Sequence, residues 1–596
     1  MTLQQSLTRL YALLPRSHRS RVPALLSLML LNACSEIGGV AGLMPFVAVA
    51  SNPQRIHTNP WLEALYTGLH IQSDRQFLVL TGLVFVAFLV TMNLINSLTF
   101  YTSCRFSFSA GSKLSQELLR SYLSRPFSWF LGRNTSDLVN SVLTEIDTVV
   151  ERVILAAAEL ITMSLVATFM TIGLIALNPK VAFTSTALLL LLYSQVYLFS
   201  RRRAQLAGKQ RLKTNEQRQR KVRDALNALK EARAFPKAQS LLDEFGKSAD
   251  RYGRLAVRER LMAEVPKYGT ETLAVTVIGG VLIYLVLQEG ADRAIPMAGV
   301  YIMAIWRLVP ALQTLYRNSV RIKFFSPVLE FLERELSQPR PDSLLPRQRL
   351  SMHKQLSLEN VSYSYPGGER PAVHELSLSI PRGSVVALVG RTGSGKSTLA
   401  DILAGLLPPD QGQLCLDGQP LNPEDRLDWL SNLGYVPQDI YLLDDTLARN
   451  VALGEPPERI DRERIKQVVA AANLEGVVEL EQVLGERGIT LSGGQRQRVG
   501  IARALYQDPE FLIFDEATSA LDNLTERDVM EAISALGGTR TVVLIAHRLS
   551  TVERCDCVFL LEEGRLVAQG TYQELLESSP TFREMVGDSR SPSSTV

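Results

Sequence analysis

Cysteine is scarce in this chain of 596 residues, and the five present do not have the spacing of a metal site. Their density is also far below that of a domain held together by disulfides. The sequence therefore argues against a zinc-ribbon or disulfide scaffold. It predicts buried free thiols at the five positions, which are Cys34, Cys104, Cys415, Cys555 and Cys557.

An excess of either charge is also missing, because 63 Lys and Arg face 60 Asp and Glu, for a formal net charge of +3. Bulk charge therefore predicts no nucleic-acid partner. The local basic run Arg201–Arg223 fits a nucleic-acid site or a solvated helix face near anionic lipid, and we favour the second interpretation. The first residues lack the short apolar core and cleavage site of a secretory leader, so we expect no removable signal peptide.

Long apolar segments are what the first half has in abundance. The chain is 46% hydrophobic with a mean hydropathy of +0.07, which is high for a soluble enzyme. Six segments approach the ~20 residues with which a helix crosses a bilayer. They are Ala24–Val49, Phe77–Phe100, Val153–Leu177, Val181–Phe199, Thr272–Leu287 and Ile295–Leu312. Thr272–Leu287 is short and leaves a buried soluble helix as the alternative there. We predict an all-α transmembrane domain with six spans.

The distribution of positive charge orients these spans. Residues 16–21 contain three arginines and the basic run Arg201–Arg223 follows the fourth span, whereas the joins Asn178–Lys180 and Gln288–Arg293 carry little positive charge. Positive charge marks the cytosolic side of a membrane protein. An even number of spans returns the chain to that side. We therefore expect a multi-pass integral membrane protein with both termini in the cytoplasm.

Breaks in the pattern divide the chain further. Helical patterns continue beyond spans two and four and are interrupted by Pro and aromatic residues in "SRPFSWFLGRNTSDL" and "KEARAFPKAQSLLDEF", as short crossing helices would be. The charged, Pro-rich stretch "SQPRPDSLLPRQRLSMHKQ" is typical of a linker. We predict a transmembrane domain at 1–336, a linker at 337–354, a second domain at 355–586 and a disordered tail at 587–596.

The second domain contains "VVALVGRTGSGKSTLADIL", a buried strand, a glycine loop and a helix, which is the context of a phosphate-binding loop. Its glycines let backbone N–H groups surround phosphate oxygens, Lys396 supplies charge to the β and γ phosphates, and Ser397 can ligate Mg²⁺. The helix N-terminus favours the anion. The candidate loop consists of Gly390, Arg391, Thr392, Gly393, Ser394, Gly395, Lys396, Ser397 and Thr398.

Downstream, "FLIFDEATSALD" predicts a strand buried on both faces that ends in two acids. Asp515 is the candidate Mg²⁺ ligand, directly or through water, and Glu516 the candidate base that polarises an attacking water. Two structural acids at a strand end are the alternative.

A further stretch, "ITLSGGQRQRVGIARAL", reads by itself only as a glycine turn with a capping serine. Its position among the other motifs is informative, because their order resembles that of ATP-binding cassette (ABC) ATPases over roughly residues 356–585. The residues that carry this resemblance, besides the loop and the acids, are Tyr365, Gln438, Ser492, Gly493, Gly494, Gln495, Asp522 and His547.

The resemblance implies an α/β P-loop domain that binds ATP and Mg²⁺, with a role for each residue. In the family, the tyrosine at Tyr365 stacks on adenine, and the residues at Gln438 and His547 contact Mg²⁺ and the γ-phosphate. An ordinary strand tyrosine and a surface histidine remain the alternatives. The Ser492 motif of one subunit caps ATP on the loop of another. A single copy of the motifs therefore implies a homodimer of half-transporters. The helical half resembles the membrane domain of ABC exporters, and its two interrupted stretches resemble the cytosolic coupling helices of that family.

One charge interrupts the sixth apolar segment, since "YIMAIWRLVPALQ" has Arg307 in its middle. An arginine at a helix centre costs about 2.5–3.5 kcal/mol on insertion scales, so it should face a partner or a wet cavity. One interpretation is an anionic ligand. The others are an ion pair, with Glu36, Glu159 or Glu271 as the candidate partner, and snorkelling to the interface if the span is displaced. Glu36 lies in an interrupted first span and is itself a candidate substrate residue.

The stretch "NPWLEALYTGLH" predicts a helix with one apolar face, lying on the outer leaflet or on its own domain. With Glu36 and Arg307, it is similar to bacterial flippases of lipid-linked oligosaccharides and related polysaccharide exporters. This implies ATP-driven flipping of such a lipid-linked glycan across a bacterial inner membrane. Alternatives are export of lipid A, peptides or drugs, import of a siderophore, and an ATP-gated channel; the apolar spans disfavour a soluble ABC ATPase.

Overall fold

The computed structural model describes residues 3–51, 53–71, 73–177, 179–289, 291–338, 345–516, 540–546 and 552–590. The chain divides into two compact units. The first comprises Met1–Leu123 with Asn134–Arg340, and the second comprises Ser124–Arg133 with Pro341–Val596. In the described residues, the first unit is helical and the second contains the β-sheets.

Long helices dominate the first unit and are joined by short ones. The described helices before residue 337 are α1 (Leu3–Leu13), α2 (Arg16–Arg19), α3 (Val22–Ser51), α4 (Arg55–Thr58), α5 (Pro60–Gly68), α6 (Asp74–Leu123), α7 (Phe127–Phe130), α8 (Thr135–Asn140), α9 (Ile146–Val149), α10 (Leu155–Leu177), α11 (Pro179–Asn227), α12 (Leu229–Ala234), α13 (Ala238–Glu289) and α14 (Ala291–Leu336). Two π-helical stretches, Ser141–Glu145 and Val150–Ile154, flank α9.

Each predicted apolar segment falls within one of the long helices α3, α6, α10, α11, α13 and α14, except that Val153 and Ile154 lie in the second π-helical stretch. Within the described residues, three helical stretches are long and apolar enough to cross a membrane: Arg16–Val40, Asp74–Leu123 and Thr135–Ala176. Six crossings remain a prediction. The short helices α7 and α12 stand where Pro and aromatic residues interrupt the sequence pattern.

Close approach and polar contacts fix the long helices against one another. A Cβ atom on Gly208 of α11 would lie 1.7 Å from the carbonyl oxygen of Phe324 in α14, so only glycine permits this packing. Glu145 is 1% exposed and accepts hydrogen bonds from Arg211 at 3.2 Å and Asn215 at 3.1 Å. A buried charge needs such partners, so this contact fixes α11 against the first π-helical stretch.

The prediction of buried thiols is correct only in part. The five cysteines are free, and Cys415 and Cys555 are buried, but Cys34 is exposed and Cys104 and Cys557 are half-buried. Cys34 lies on the apolar helix α3, part of whose surface is exposed in a single chain without membrane.

The second unit carries two sheets and shorter helices. Its strands are β1 (Gln355–Tyr363), β2 (Val373–Pro381), β3 (Val385–Val389), β4 (Gln411–Leu416), β5 (Gln419–Pro420), β6 (Leu433–Val436), β7 (Phe511–Asp515), β8 (Thr541–Ile545), β9 (Cys557–Glu562) and β10 (Arg565–Gly570). Its described helices, besides α7, are α15 (Lys396–Leu403), α16 (Arg426–Leu430), α17 (Leu447–Val451), α18 (Arg462–Ala471), α19 (Gly493–Tyr506), α20 (Tyr572–Ser578) and α21 (Pro580–Arg590), with 3₁₀ turns at Pro457–Arg459 and Glu486–Gly488. Helix α21 extends into the predicted tail, whose last six residues lie outside the described part.

Strand pairing places the sequence motifs at one edge of the larger sheet. Its order is β10-β9-β3-β8-β7-β6, and the strands from β9 to β6 are parallel. The smaller sheet, β2-β1-β4-β5, is antiparallel. Strands β7 and β8 are buried along their whole length, as their continuous apolar sequences predict. The carboxyl ends of β3, β6 and β7 therefore meet at one edge, where parallel sheets bind their ligands.

Candidate nucleotide site and the Arg307 pair

The glycine loop follows β3 and leads directly into α15. Gly395 is the N-cap of α15 and has a φ of 98°, and a Cβ atom there would lie 2.4 Å from the carbonyl oxygen of Ala372. A side chain is excluded by both the backbone conformation and the available space. The loop therefore presents backbone N–H groups and the N-terminus of an eight-residue helix, the arrangement that binds phosphate.

The side chain of Lys396 is folded into this loop. Its Nζ donates hydrogen bonds to the carbonyl oxygens of Gly390 at 2.7 Å and Arg391 at 3.0 Å, and the residue is 5% exposed. Burial lowers the pKa of the ammonium, while the nearby carboxylates of Glu516 and Asp515 act in the opposite direction. A positive charge is thus held between the loop and both acids.

Ser397 and Asp515, the two residues predicted to bind Mg²⁺, are in contact. The Ser397 hydroxyl donates to Oδ1 of Asp515 at 3.3 Å, and Asp515 is 5% exposed. A hydroxyl and a carboxylate are hard oxygen ligands of the kind that Mg²⁺ prefers. These residues therefore fit a magnesium ion beside the phosphate loop.

Gln438 and Glu516 also come together, although they are far apart in sequence. Nε2 of Gln438 donates to Oε2 of Glu516 at 2.9 Å. Glu516 has a φ of 49°, a left-handed conformation that a residue with a side chain adopts at a cost of about 1–3 kcal/mol and that concentrates at functional sites. The turn after β7 thereby directs this carboxylate toward Gln438, which lies two residues beyond the end of β6.

Tyr365 lies beside the same loop. Its hydroxyl is 3.0 Å from Oγ1 of Thr398, its ring meets that of Tyr363 edge-on at 5.3 Å, and the residue is 37% exposed. A partly exposed aromatic ring at the edge of the phosphate loop is suited to stacking on a flat base.

Ser492 caps α19 and makes its hydrogen bonds within that cap. Its hydroxyl accepts from the backbone N–H of Gln495 at 3.2 Å, and the Gln495 side chain accepts from the backbone N–H of Ser492 at 2.8 Å. Gly493 and Gly494 form the first turn. Asp522 and His547 lie outside the described residues.

Sequence reasoning missed two residues of this site, Asp401 and Tyr435. The Tyr435 hydroxyl donates to Oδ1 of Asp401 at 3.1 Å. Burial raises the pKa of Asp401 to about 6, a change that the Tyr435 hydrogen bond opposes and the charge of Asp515 increases. The available signals were an acid one helical turn after Ser397 and a tyrosine three residues before Gln438.

In the helical unit, Arg307 pairs with the first of its three candidate partners. Its Nε lies 3.6 Å from Oε2 of Glu36, and the two side chains are 31% and 6% exposed. Glu159 accepts instead from Asn318 at 2.9 Å, and Glu271 lies 3.7 Å from Lys267. The ion-pair interpretation of Arg307 thus has a definite partner, on α3.

Comparison with known proteins gives matches for both units. Residues 373–519 match the family model of the ABC transporter, and residues 46–291 match that of the ABC transporter transmembrane region. An ATP-dependent lipid A-core flippase of Cupriavidus metallidurans is 32% identical over 473 residues, which cover 78% of this chain and 79% of the relative. The chain belongs to the ABC transporter family.

Other relatives agree with this assignment. A lipid A-core flippase of Albidiferax ferrireducens is 29% identical over 83% of this chain and 87% of its own length. One of Sodalis glossinidius is 42% identical over 39% of this chain and 40% of its own length. The structure of a bacterial Atm1-family ABC exporter with ATP bound has the same fold, with a TM-score of 0.81, 22% identity and coverage of 97% of this chain and 99% of that one. This ABC transporter is therefore an integral membrane protein whose ATPase domain binds ATP and couples its hydrolysis to transport.

Proposed function

We propose that this ABC transporter flips or exports an amphipathic glycolipid across a bacterial inner membrane, as a homodimer with its nucleotide-binding domains in the cytoplasm. The observation that carries the ATPase part is the meeting of Ser397 and Asp515 beside the Gly390–Thr398 loop. The names of the relatives favour a lipid A-core type of substrate over the other candidates.

The residues of the site divide the work of hydrolysis between them. Backbone N–H groups of the loop and the Lys396 ammonium would bind the phosphates, and Tyr365 would stack on adenine. Ser397, Asp515 and Gln438 would hold Mg²⁺. The ion supplies charge neutralisation for phosphoryl transfer. The Glu516 carboxylate orients a water molecule for attack, and its hydrogen bond to Gln438 places it at this edge of the sheet. Asp522 and His547 complete the site on the basis of sequence alone.

A second copy of the chain provides the remaining contacts. Ser492, Gly493, Gly494 and Gln495 form an exposed or half-buried helix start whose capping bonds are internal. Such a start offers further backbone N–H groups to an anion. In the proposed homodimer, each copy's helix start faces ATP on the loop of the other.

The second candidate substrate is a polyprenyl-linked oligosaccharide, which the sequence resemblance favours. Helix α5 exposes 83% of Trp61 and 54% of Leu65, and its C-cap Leu69 is 56% exposed. Together they form an apolar surface suited to lipid. Arg307, still 31% exposed beside Glu36, would meet an anionic phosphate in either substrate class. Both candidates are amphipathic, and they differ in the lipid tail and the number of phosphates.

The test is the ATPase activity of the purified full chain in lipid nanodiscs, titrated separately with a lipid A-core glycolipid, a polyprenyl-pyrophosphate oligosaccharide, a peptide and a hydrophobic drug. We expect saturable stimulation by the first, with fluorescence-quenching in proteoliposomes reporting ATP-dependent flipping of the same lipid. Stimulation by the polyprenyl substrate alone supports the second candidate. Stimulation by the peptide or the drug alone, or ion conductance without flipping, contradicts the glycolipid proposal.

A further inference from the structure

The pair formed by Asp401 and Tyr435 lies directly behind the Ser397–Asp515 contact. Asp401 follows Ser397 by four residues on α15, so the two side chains share one face of that helix. Tyr435 lies opposite Ile513 in the parallel pairing of β6 with β7, and Asp515 is two residues beyond Ile513. Since side chains alternate along a strand, Tyr435, Ile513 and Asp515 point to the same face of the sheet.

That face is the one against which α15 packs. Leu399 and Leu403 of α15 belong to the same hydrophobic cluster as Ile513, with Tyr435 packed against it. The 3.1 Å hydrogen bond from Tyr435 to Asp401 is therefore a polar link across an otherwise apolar helix–sheet interface. A polar link in such surroundings fixes the relative position of the elements it joins.

The link also lies close to the metal-binding carboxylate. Burial raises the pKa of both Asp401 and Tyr435, and the charge of Asp515 adds to both increases, so the three groups lie in one electrostatic cluster. Asp515 of this cluster contacts Ser397. The Asp401–Tyr435 hydrogen bond joins α15 to β6, the strand that precedes Gln438.

We propose that Tyr435 and Asp401 are positioning residues, whose hydrogen bond holds α15 against β6 and β7 so that Ser397 and Asp515 meet Mg²⁺ together. This inference rests on the magnesium site proposed above. Neither residue is among the proposed ligands of the ion or the nucleotide. Loss of their bond is expected to weaken metal binding, because the two ligands no longer have a fixed separation.

The test uses the full chain in detergent with saturating ADP, and Mn²⁺ binding measured from the loss of the free-ion EPR signal. Tyr435→Phe and Asp401→Ala remove the same bond from its two sides, and each is expected to weaken Mn²⁺ binding about three- to tenfold. The double variant is expected to bind Mn²⁺ as tightly as either single variant, because each substitution already removes the same hydrogen bond. Asp401→Asn retains an oxygen acceptor and is expected to stay within about twofold of the parent.

Tyr506→Phe is the matched control, because its hydroxyl donates to the Glu455 carboxylate at 3.1 Å at the opposite end of α19 from Ser492. Thermal unfolding without metal or nucleotide identifies folding defects, and Asp401→Ala replaces Tyr435→Phe if that variant does not fold. Unchanged Mn²⁺ binding in the folded bond-breaking variants, or losses that add in the double variant, overturns the positioning role. If the parent binds no Mn²⁺ in the presence of ADP, or if Ser397→Ala binds Mn²⁺ as tightly as the parent, the proposed magnesium site is wrong.

Discussion

The Nε atom of Arg307 lies 3.6 Å from Oε2 of Glu36, which joins the sixth apolar segment to the first. Glu36 is the more buried partner, so its charge depends on Arg307 for compensation. The guanidinium is still partly exposed and has donors left for another anion. The pair explains how a charge is accommodated within the helix, and the exposed part of the guanidinium is available to an anionic substrate.

Removal of both charges separates these roles. We expect Arg307→Met to lower thermal stability, because it leaves Glu36 buried and uncompensated, and Arg307→Met with Glu36→Met to restore it. If Arg307 also binds an anionic head group, the double variant regains stability but not flipping, while basal ATPase activity persists in both. Recovery of flipping in the double variant would reduce Arg307 to a structural ion pair. Lys267→Met, at an exposed pair, is the control.

Glu516→Gln is expected to abolish steady-state hydrolysis and preserve ATP binding. The amide retains the size of the side chain and an acceptor for Gln438, but it does not polarise water as a carboxylate does. The measurements are phosphate release and binding of a fluorescent ATP analogue. Glu577→Gln, an exposed acid on α20, controls for the change of acid to amide. Near-normal turnover of Glu516→Gln contradicts the assigned base.

Two inactive variants should restore ATPase activity when combined in one dimer, if each ATP lies between two copies of the chain. Lys396→Ala damages the phosphate loop and Gly494→Asp the capping helix start, so each homodimer is expected to be inactive. A heterodimer purified through two different affinity tags has one intact site, and we expect up to about half of the parent ATPase activity. An inactive heterodimer contradicts independent sites shared between two copies.

The buried carboxyl of Asp401 should make stability depend on pH. Its folded pKa of about 6 lies above the ordinary value of 3.8, so the folded chain retains a proton that the unfolded chain releases. The stability that this protonation contributes is present at acidic pH and is lost as pH rises from about 4 to about 6. Asp401→Asn is expected to become more stable than the parent across this window, by about 1–2 kcal/mol after allowance for solvent screening.

The measurement is thermal or chemical unfolding from pH 4.5 to pH 7.5 without metal or nucleotide. Asp444→Asn, at an exposed aspartate, is expected to follow the parent at every pH. A constant difference between Asp401→Asn and the parent over the whole range contradicts the raised pKa.

The sequence by itself determined the elements and the chemistry that depends on local order. A run of apolar residues specifies a long helix by its length, and a glycine loop between a buried strand and a helix specifies a phosphate site by its backbone geometry. Ser397, Asp515 and Glu516 could be chosen in this way, because Ser397 lies in the glycine loop and the two acids end a buried strand. Gln438 was chosen only through the resemblance to ABC ATPases.

Only the tertiary structure decided which distant residues meet. Arg307 had three possible partners in sequence, and helix packing selected Glu36. Tyr435 and Asp401 carry no motif. Their contact arises because parallel pairing places β6 beside β7, while α15 packs on the same sheet and brings Asp401 within 3.1 Å of Tyr435. The sequence also could not predict the exposure of Cys34. Apolar residues occur on all sides of α3, so no periodic pattern indicates which face is buried.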